Sequence, residues 1–380
     1  MDIPLDYATL KVIWWALVGI LLIGYAVTDG YDLGVAALLP FVGKTDEERR
    51  LVINSIAPMW EGHQVWLITG GGALFAAWPF VYAVSFSGFY LAMFVVLAAL
   101  ILRPVGFKYR SKRASPAWRR NWDWALFVGG FVPALIFGVA LGNVLQGVPF
   151  DIDRTMRSTY DGGLIGLLNP FALLAGLASV AMLLVHGASW LVVKIEEGPV
   201  MDRAAKYGRF AALAVIAFYA LAGIWLWQSG MGYRIVSDID PHGPANPLRK
   251  EVVTEAGAWM GNYAKYPFLI LAPLAGFGGS LLAFWALGRK STLALAGSGI
   301  ASAGIVASVG ASMFPFILPS TVNPSASLTV WDSSSSHTTL FIMLIVTAIM
   351  LPIVLAYTAW VFKVLWGRLT IEEANSPGHY

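Results

Sequence analysis

Between Arg50 and Arg103 a long apolar run carries a single formal charge, Glu61, with His63 two residues further on. If one helix starts near Leu51 at the inner side of a membrane, Glu61 lies about 15 Å along it. That depth is near the middle of a hydrocarbon layer about 30 Å thick. A carboxyl group there is costly unless paired, protonated or hydrated, and such groups mark proton or ion routes. The plainer alternative is a neutral, buried Glu61 held by hydrogen bonds for packing alone. His63 points away from Glu61 on a regular helix. A membrane histidine can ligate haem or relay protons. A lone one is more commonly hydrogen-bonded between helices, which is the expectation for His63 and for the similar His186.

Asp29 and Asp32 are spaced to lie on adjacent faces of one helix. They and Arg103, which directly precedes Pro104, fall at expected helix ends on the same side of the membrane. An Asp–Arg pair lining an inner mouth and a set of snorkelling surface charges are equally open readings. Lys108, Arg110, Lys112 and Arg113 follow at once and read as an inner-side anchor. Gly70-Gly71-Gly72 is not a phosphate loop, because no Gly-Lys-Ser/Thr follows it. Ala303, Ala307 and Ala311, with Gly304, Ser308 and Ser312 one position on, form a small-residue face. Such a face lets two backbones approach closely, so it should accept alanine but not bulk.

The elements that must position these groups follow from composition. Of 380 residues, 58% are hydrophobic and only 12% charged, about half the charge of an ordinary soluble domain. A soluble enzyme, a disordered chain and a nucleic-acid binder are excluded. The absence of cysteine removes disulfides, thiolate nucleophiles and thiolate metal sites. The expectation is an all-α integral membrane protein forming a single polytopic membrane domain over 1–380. Its nine transmembrane helices should run at roughly 12–34, 51–77, 80–103, 123–147, 164–193, 208–228, 266–288, 291–316 and 338–363. Most of the 25 basic residues fall on one side of that arrangement. This places the N-terminus outside (periplasmic) and the C-terminus in the cytoplasm. Tryptophans near the expected helix ends read as an interfacial belt. From composition and spacing alone, a stand-alone proton-coupled transporter and a subunit of an energy-converting complex are both open.

The sequence resembles subunit II of the cytochrome bd-type quinol oxidases along nearly its whole length. The resemblance is carried by IWWALVGILLIGYAVTDGYDLGVAALLP at 13–40 and by ERRLVINSIAPMWEGHQVWLITGGGALFAAWP and SGFYLAMFVVLAALILRPVGFKYRSK within 48–112. Further on it rests on GNVLQGVPF, NPFALLAG, EAGAWM, MFPFILPS, ASLTVWDSSSS and LPIVLAYTAW. It implies a bacterial inner-membrane heterodimer with a larger subunit I, and a possible small single-helix accessory subunit. Subunit I would carry haem b and haem d, oxidise quinol near the outer face and reduce oxygen to water with protons drawn from inside. This chain would supply scaffold, a lipid-side pocket for a quinone (ubiquinone or menaquinone) and part of the inner proton path. Glu61 matches the family's midplane acid, and Lys112 and Tyr380 match residues of the path's inner mouth. Asp29, Asp32 and Arg103 match as ion-pair or quinone-site candidates. Lys108 departs from the family's F-D-Y-R pattern, since this chain reads Phe107-Lys108-Tyr109-Arg110. A lysine there implies a rearranged mouth.

Overall fold

The computed structural model describes residues 3–374 and Ser376. Helix α1 (Tyr7–Val42) is followed by α2 (Asp46–Asn54), α3 (Trp60–Ala77), α4 (Pro79–Gly88) and α5 (Tyr90–Tyr109). Then come α6 (Pro116–Gln146), α7 (Leu164–Leu167), α8 (Pro170–Lys194) and α9 (Pro199–Gln228). The chain closes with α10 (Gly261–Lys265), α11 (Leu271–Gly288), α12 (Leu293–Met313), α13 (His337–Val364) and α14 (Ile371–Ala374). Three short antiparallel hairpins pair Phe150–Ile152 with Ser158–Tyr160, Tyr233–Ile235 with Val252–Thr254, and Phe316–Leu318 with Leu328–Thr329.

Among the described residues, eight helices are long and apolar enough to cross a membrane: α1, α5, α6, α8, α9, α11, α12 and α13. Helix α3 has 18 residues, about 27 Å of rise, yet it is not among those eight. Its first turns hold Glu61, His63 and Gln64, which dilute its apolar character.

Local chemistry sets the ends. Asp6, Ser115, Asn169 and Ser336 each accept a backbone N–H at the start of a long helix. Thr45 and Glu48 form a reciprocal capping box at the start of α2. Prolines occupy the first position of α4, α6, α8 and α9, where the missing N–H costs nothing.

Four expected spans are corrected; one is the fifth, which divides into α7 and α8 at Leu168 and Asn169. The second is not continuous from 51: α2 ends at Asn54, turns occupy 55–59, and α3 begins at Trp60. Pro58 has no N–H for the ladder, and a proline disfavours helical geometry at the residue before it. The third span also breaks, at Phe89, and continues past Arg103 to Tyr109 with Pro104 inside it. The first runs on to Val42, so Asp29 and Asp32 lie well inside α1 and not at its end.

Residues Asp29–Leu39 of α1 are all buried, which makes this half of α1 the axis of the bundle. It crosses α8 where Gly34 meets Gly187: a Cβ on Gly34 would run into the Leu183 carbonyl, and one on Gly187 into the Gly34 backbone. Glycine at both positions lets the two backbones touch. The small-residue face of α12 packs within this chain against α11, where a Cβ on Gly304 would strike backbone atoms of Gly276 and Ala272. The expectation that this face accepts alanine therefore fails at Gly304, because the obstacle is unyielding backbone. At the opposite end from the Asp29 region, buried Lys11 Nζ donates to the Pro241 (2.8 Å) and Trp331 (2.7 Å) carbonyls.

Candidate functional site

The buried end of α1 brings together side chains from α1, α3, α5 and α8. Asp29 and Asp32 project one turn apart, and α5 places Arg103 against them. Arg103 is wholly buried, as are both aspartates. Its Nη2 donates to Asp29 Oδ1 at 2.9 Å and its Nη1 to Asp29 Oδ2 at 3.1 Å. This two-pronged geometry fixes orientation as well as charge. Nη2 also lies 3.9 Å from Asp32 Oδ2.

The break at Pro58 decides the rest. Because α3 starts afresh at Trp60, His63 falls in its first turns and turns inward, with Nδ1 2.6 Å from Asp32 Oδ2. The other ring nitrogen lies 3.3 Å from the Tyr31 hydroxyl. Tyr31 stacks on Trp190 of α8 with centroids 4.2 Å apart, and Phe362 of α13 stacks on His63 at 5.7 Å. His186 is held separately, with Nε2 2.8 Å from the Val27 carbonyl and Nδ1 2.8 Å from Ser298 Oγ.

Two aspartates, one arginine and one histidine share this interior. With a neutral imidazole the set carries one net negative charge, and a single proton on the Asp32–His63 pair makes it neutral. Uncompensated charge is expensive in hydrocarbon, so this pair is a natural place to hold one proton. Asp32 Oδ1 and Arg103 Nε have no hydrogen-bond partner among the described residues.

Other expected site residues lie apart. Glu61 is exposed on the lateral surface of this chain, in the first turn of α3 and not ten residues up a continuous helix. Lys108 and Lys112 are exposed at the end of α5 and in the turn after it. Tyr380 lies outside the described residues. Arg110, in contrast, is buried and is more than an anchor. It donates to Asp123 at 2.5 Å and to Asp46 at 2.8 Å. Arg49 reaches Asp123 at 2.8 Å and Arg119 reaches Asp46 at 2.6 Å. Sequence reasoning did not foresee this network or the Asp32–His63 and Tyr31 contacts. The lone Asp123, at the head of an apolar run, was the signal available.

Both ring nitrogens of His63 and of His186 are already engaged within the chain. His337 donates from Nε2 to the Leu5 carbonyl.

The family profile of cytochrome bd terminal oxidase subunit II matches residues 10–365. The chain belongs to that family. It is 50% identical to a probable cytochrome oxidase subunit 2 of Haemophilus influenzae and 49% identical to the cytochrome bd-I ubiquinol oxidase subunit 2 of Escherichia coli. Each match spans 376 residues, 99% of both chains. The Bacillus subtilis cytochrome bd ubiquinol oxidase subunit 2 is 29% identical over 370 residues. A chain of the bd oxidase from Geobacillus thermodenitrificans shares the fold, with a TM-score of 0.64, 15% identity, and coverage of 94% of this chain and 98% of that one. The transporter reading falls with this membership. As a bd oxidase subunit II, the chain is an integral protein of the bacterial inner membrane and part of an oxidoreductase complex.

Proposed function

We propose that this chain joins a larger haem-bearing subunit I in a quinol:oxygen oxidoreductase and passes protons from the cytoplasmic side toward it. The observation that carries this reading is the Asp32–His63 pair. It is a buried, hydrogen-bonded couple whose His63 lies two residues along α3 from Glu61, which is exposed on the flank. Protons would enter near Lys108, Lys112 and Tyr380 and leave through Glu61 to the partner, with Asp29 and Arg103 fixing Asp32. In this scheme haem b and haem d belong to subunit I, in keeping with the hydrogen bonds that already engage both ring nitrogens of His63 and of His186. A quinone, ubiquinone or menaquinone, is best suited by the cavity of about 640 Å³ between α6, α8, α9 and α12. Its wall is apolar apart from a few hydroxyls such as Tyr219 and Tyr263. A small accessory subunit remains compatible with the exposed flanks of α3 and α13.

The test is turnover of the purified complex with Glu61→Gln and Glu61→Asp. A relay group must bind and release a proton. The Gln variant should keep its haem content and its haem reduction by quinol while oxygen consumption drops at least tenfold. The Asp variant should retain most activity. Wild-type turnover in Glu61→Gln across neutral pH would remove the proton role from this chain.

A further inference from the structure

The basic end of the bundle carries a surface feature that the proton path does not use. The inner ends of α9 and α11 enclose a groove of about 600 Å³ whose rim holds Lys206, Arg209 and Lys290 and whose wall is Leu213, Phe284 and Leu287. Asp202 also lines it, but its carboxylate is taken by Lys290 at 2.6 Å. Arg209 makes no ion pair among the described residues and lies over the Phe284 ring, 4.5 Å from its centroid. Lys206 is exposed and likewise without an ion pair among them. Arg289, next to the groove, sits over Trp285 at 4.1 Å. Four cations against Asp202 and the nearby Glu197 leave a positive surplus at the depth where headgroups lie, as the neighbouring Trp285 marks.

A second, apolar groove of about 470 Å³ runs on the other flank of α9, between Phe41, Phe127, Phe131 and Tyr207. Phe210, 62% exposed, lines both grooves and forms the ridge between them. The cations therefore stand beside two apolar channels divided by one aromatic side chain.

We propose that this surface binds an anionic diacyl phospholipid. Its phosphodiester would lie on Arg209 and Lys206, and its two acyl chains would pass on either side of Phe210. A planar guanidinium donates to two phosphate oxygens at once, and basic recesses between helices on the cytoplasmic side are fitted to acidic headgroups. The paired channels select a lipid over a free phosphate, which could use only the rim.

The test uses the purified complex of this chain with its larger partner in detergent, examined by native mass spectrometry. Dioleoyl phosphatidylglycerol is compared with dioleoyl phosphatidylcholine at equal concentration. Wild type should retain the anionic lipid at least tenfold more. Arg209→Gln and Lys206→Gln should each cut that preference roughly fivefold, while Arg154→Gln, in a loop away from the groove, should leave it unchanged. Equal retention of both lipids by wild type overturns the proposal, as does an unchanged preference in either groove variant. Displacement of the lipid by millimolar glycerol 3-phosphate would also overturn it, because the acyl channels would then contribute nothing. So would cross-linking of a co-purifying polypeptide to Tyr207, which would make the surface a protein contact.

Discussion

Arg103 holds both carboxylate oxygens of Asp29, at 2.9 and 3.1 Å, across 74 positions of sequence and with neither side chain reaching solvent. Two residues so far apart pair this closely because α6 packs on both α1 and α5 and the long Arg103 side chain spans the distance left between them. The pair is therefore a reporter of correct folding as well as part of the ionic cluster.

Removing one member strands a buried charge, which typically costs about 3–5 kcal/mol. Arg103→Gln and Asp29→Asn should each lower the thermal stability of the assembled complex by an amount of that order. The double variant should recover part of the loss, because neither member of the pair is then left as a charge without its partner. Strictly additive losses in thermal inactivation would show that the two side chains do not act as a pair.

His63→Ala and His186→Ala should leave every haem absorption band in place, since all four ring nitrogens are already engaged within the chain. His63→Ala should slow proton uptake nonetheless, by unpairing Asp32. A reduced-minus-oxidised spectrum checks the first expectation. Disappearance of one haem band from an assembled His63→Ala complex would contradict it.

Close packing of α11 on α12 makes Gly304 sensitive to a single methyl group. Gly304→Ala should cost about 1–3 kcal/mol, the usual range for overpacking, and lower the yield of assembled complex. Gly278→Ala, whose added Cβ would meet nothing within 4 Å, should assemble as wild type. Equal yields for the two variants would mean that α11 and α12 separate more easily than their contact implies.

Glu48 supplies a pH dependence outside the membrane. Burial alone would raise its pKa, but Arg203 at 2.7 Å and the backbone N–H groups of Lys44 and Thr45 outweigh burial and hold it below its ordinary 4.5. A carboxylate lowered on folding adds stability above its unfolded pKa and loses it as pH falls through the folded value. Glu48→Gln should therefore reduce stability by about 1 kcal/mol at neutral pH. The gap from wild type should close as the pH drops below 4.5. A gap independent of pH in denaturation curves would assign the effect to the hydrogen bonds alone.

The apolar runs were legible because about twenty such residues in sequence have few places to go other than a membrane. Helix starts were legible to within one residue at α4 and α13, whereas α1, α6, α8 and α9 begin five to nine residues from their expected positions despite a cap or an N-terminal proline. Proline inside a run was not legible. Pro40, Pro104, Pro133 and Pro352 sit within continuous helices, whereas the chain turns at Pro58. Neighbouring elements re-satisfy the freed carbonyl in some places and not in others, and no local signal separates the two outcomes.

Sequence by itself determined that this is a helical membrane protein, which residues carry charge in its apolar runs, and which family it belongs to. These are properties of composition and of order along the chain. Only the tertiary structure decided how those charges are used. Asp29 pairs with Arg103, Asp32 pairs with His63, and Glu61 faces outward instead of joining them. The physical reason is the break at Pro58: it resets the angular phase of α3, so the helix presents His63 to the interior and leaves Glu61 on the flank.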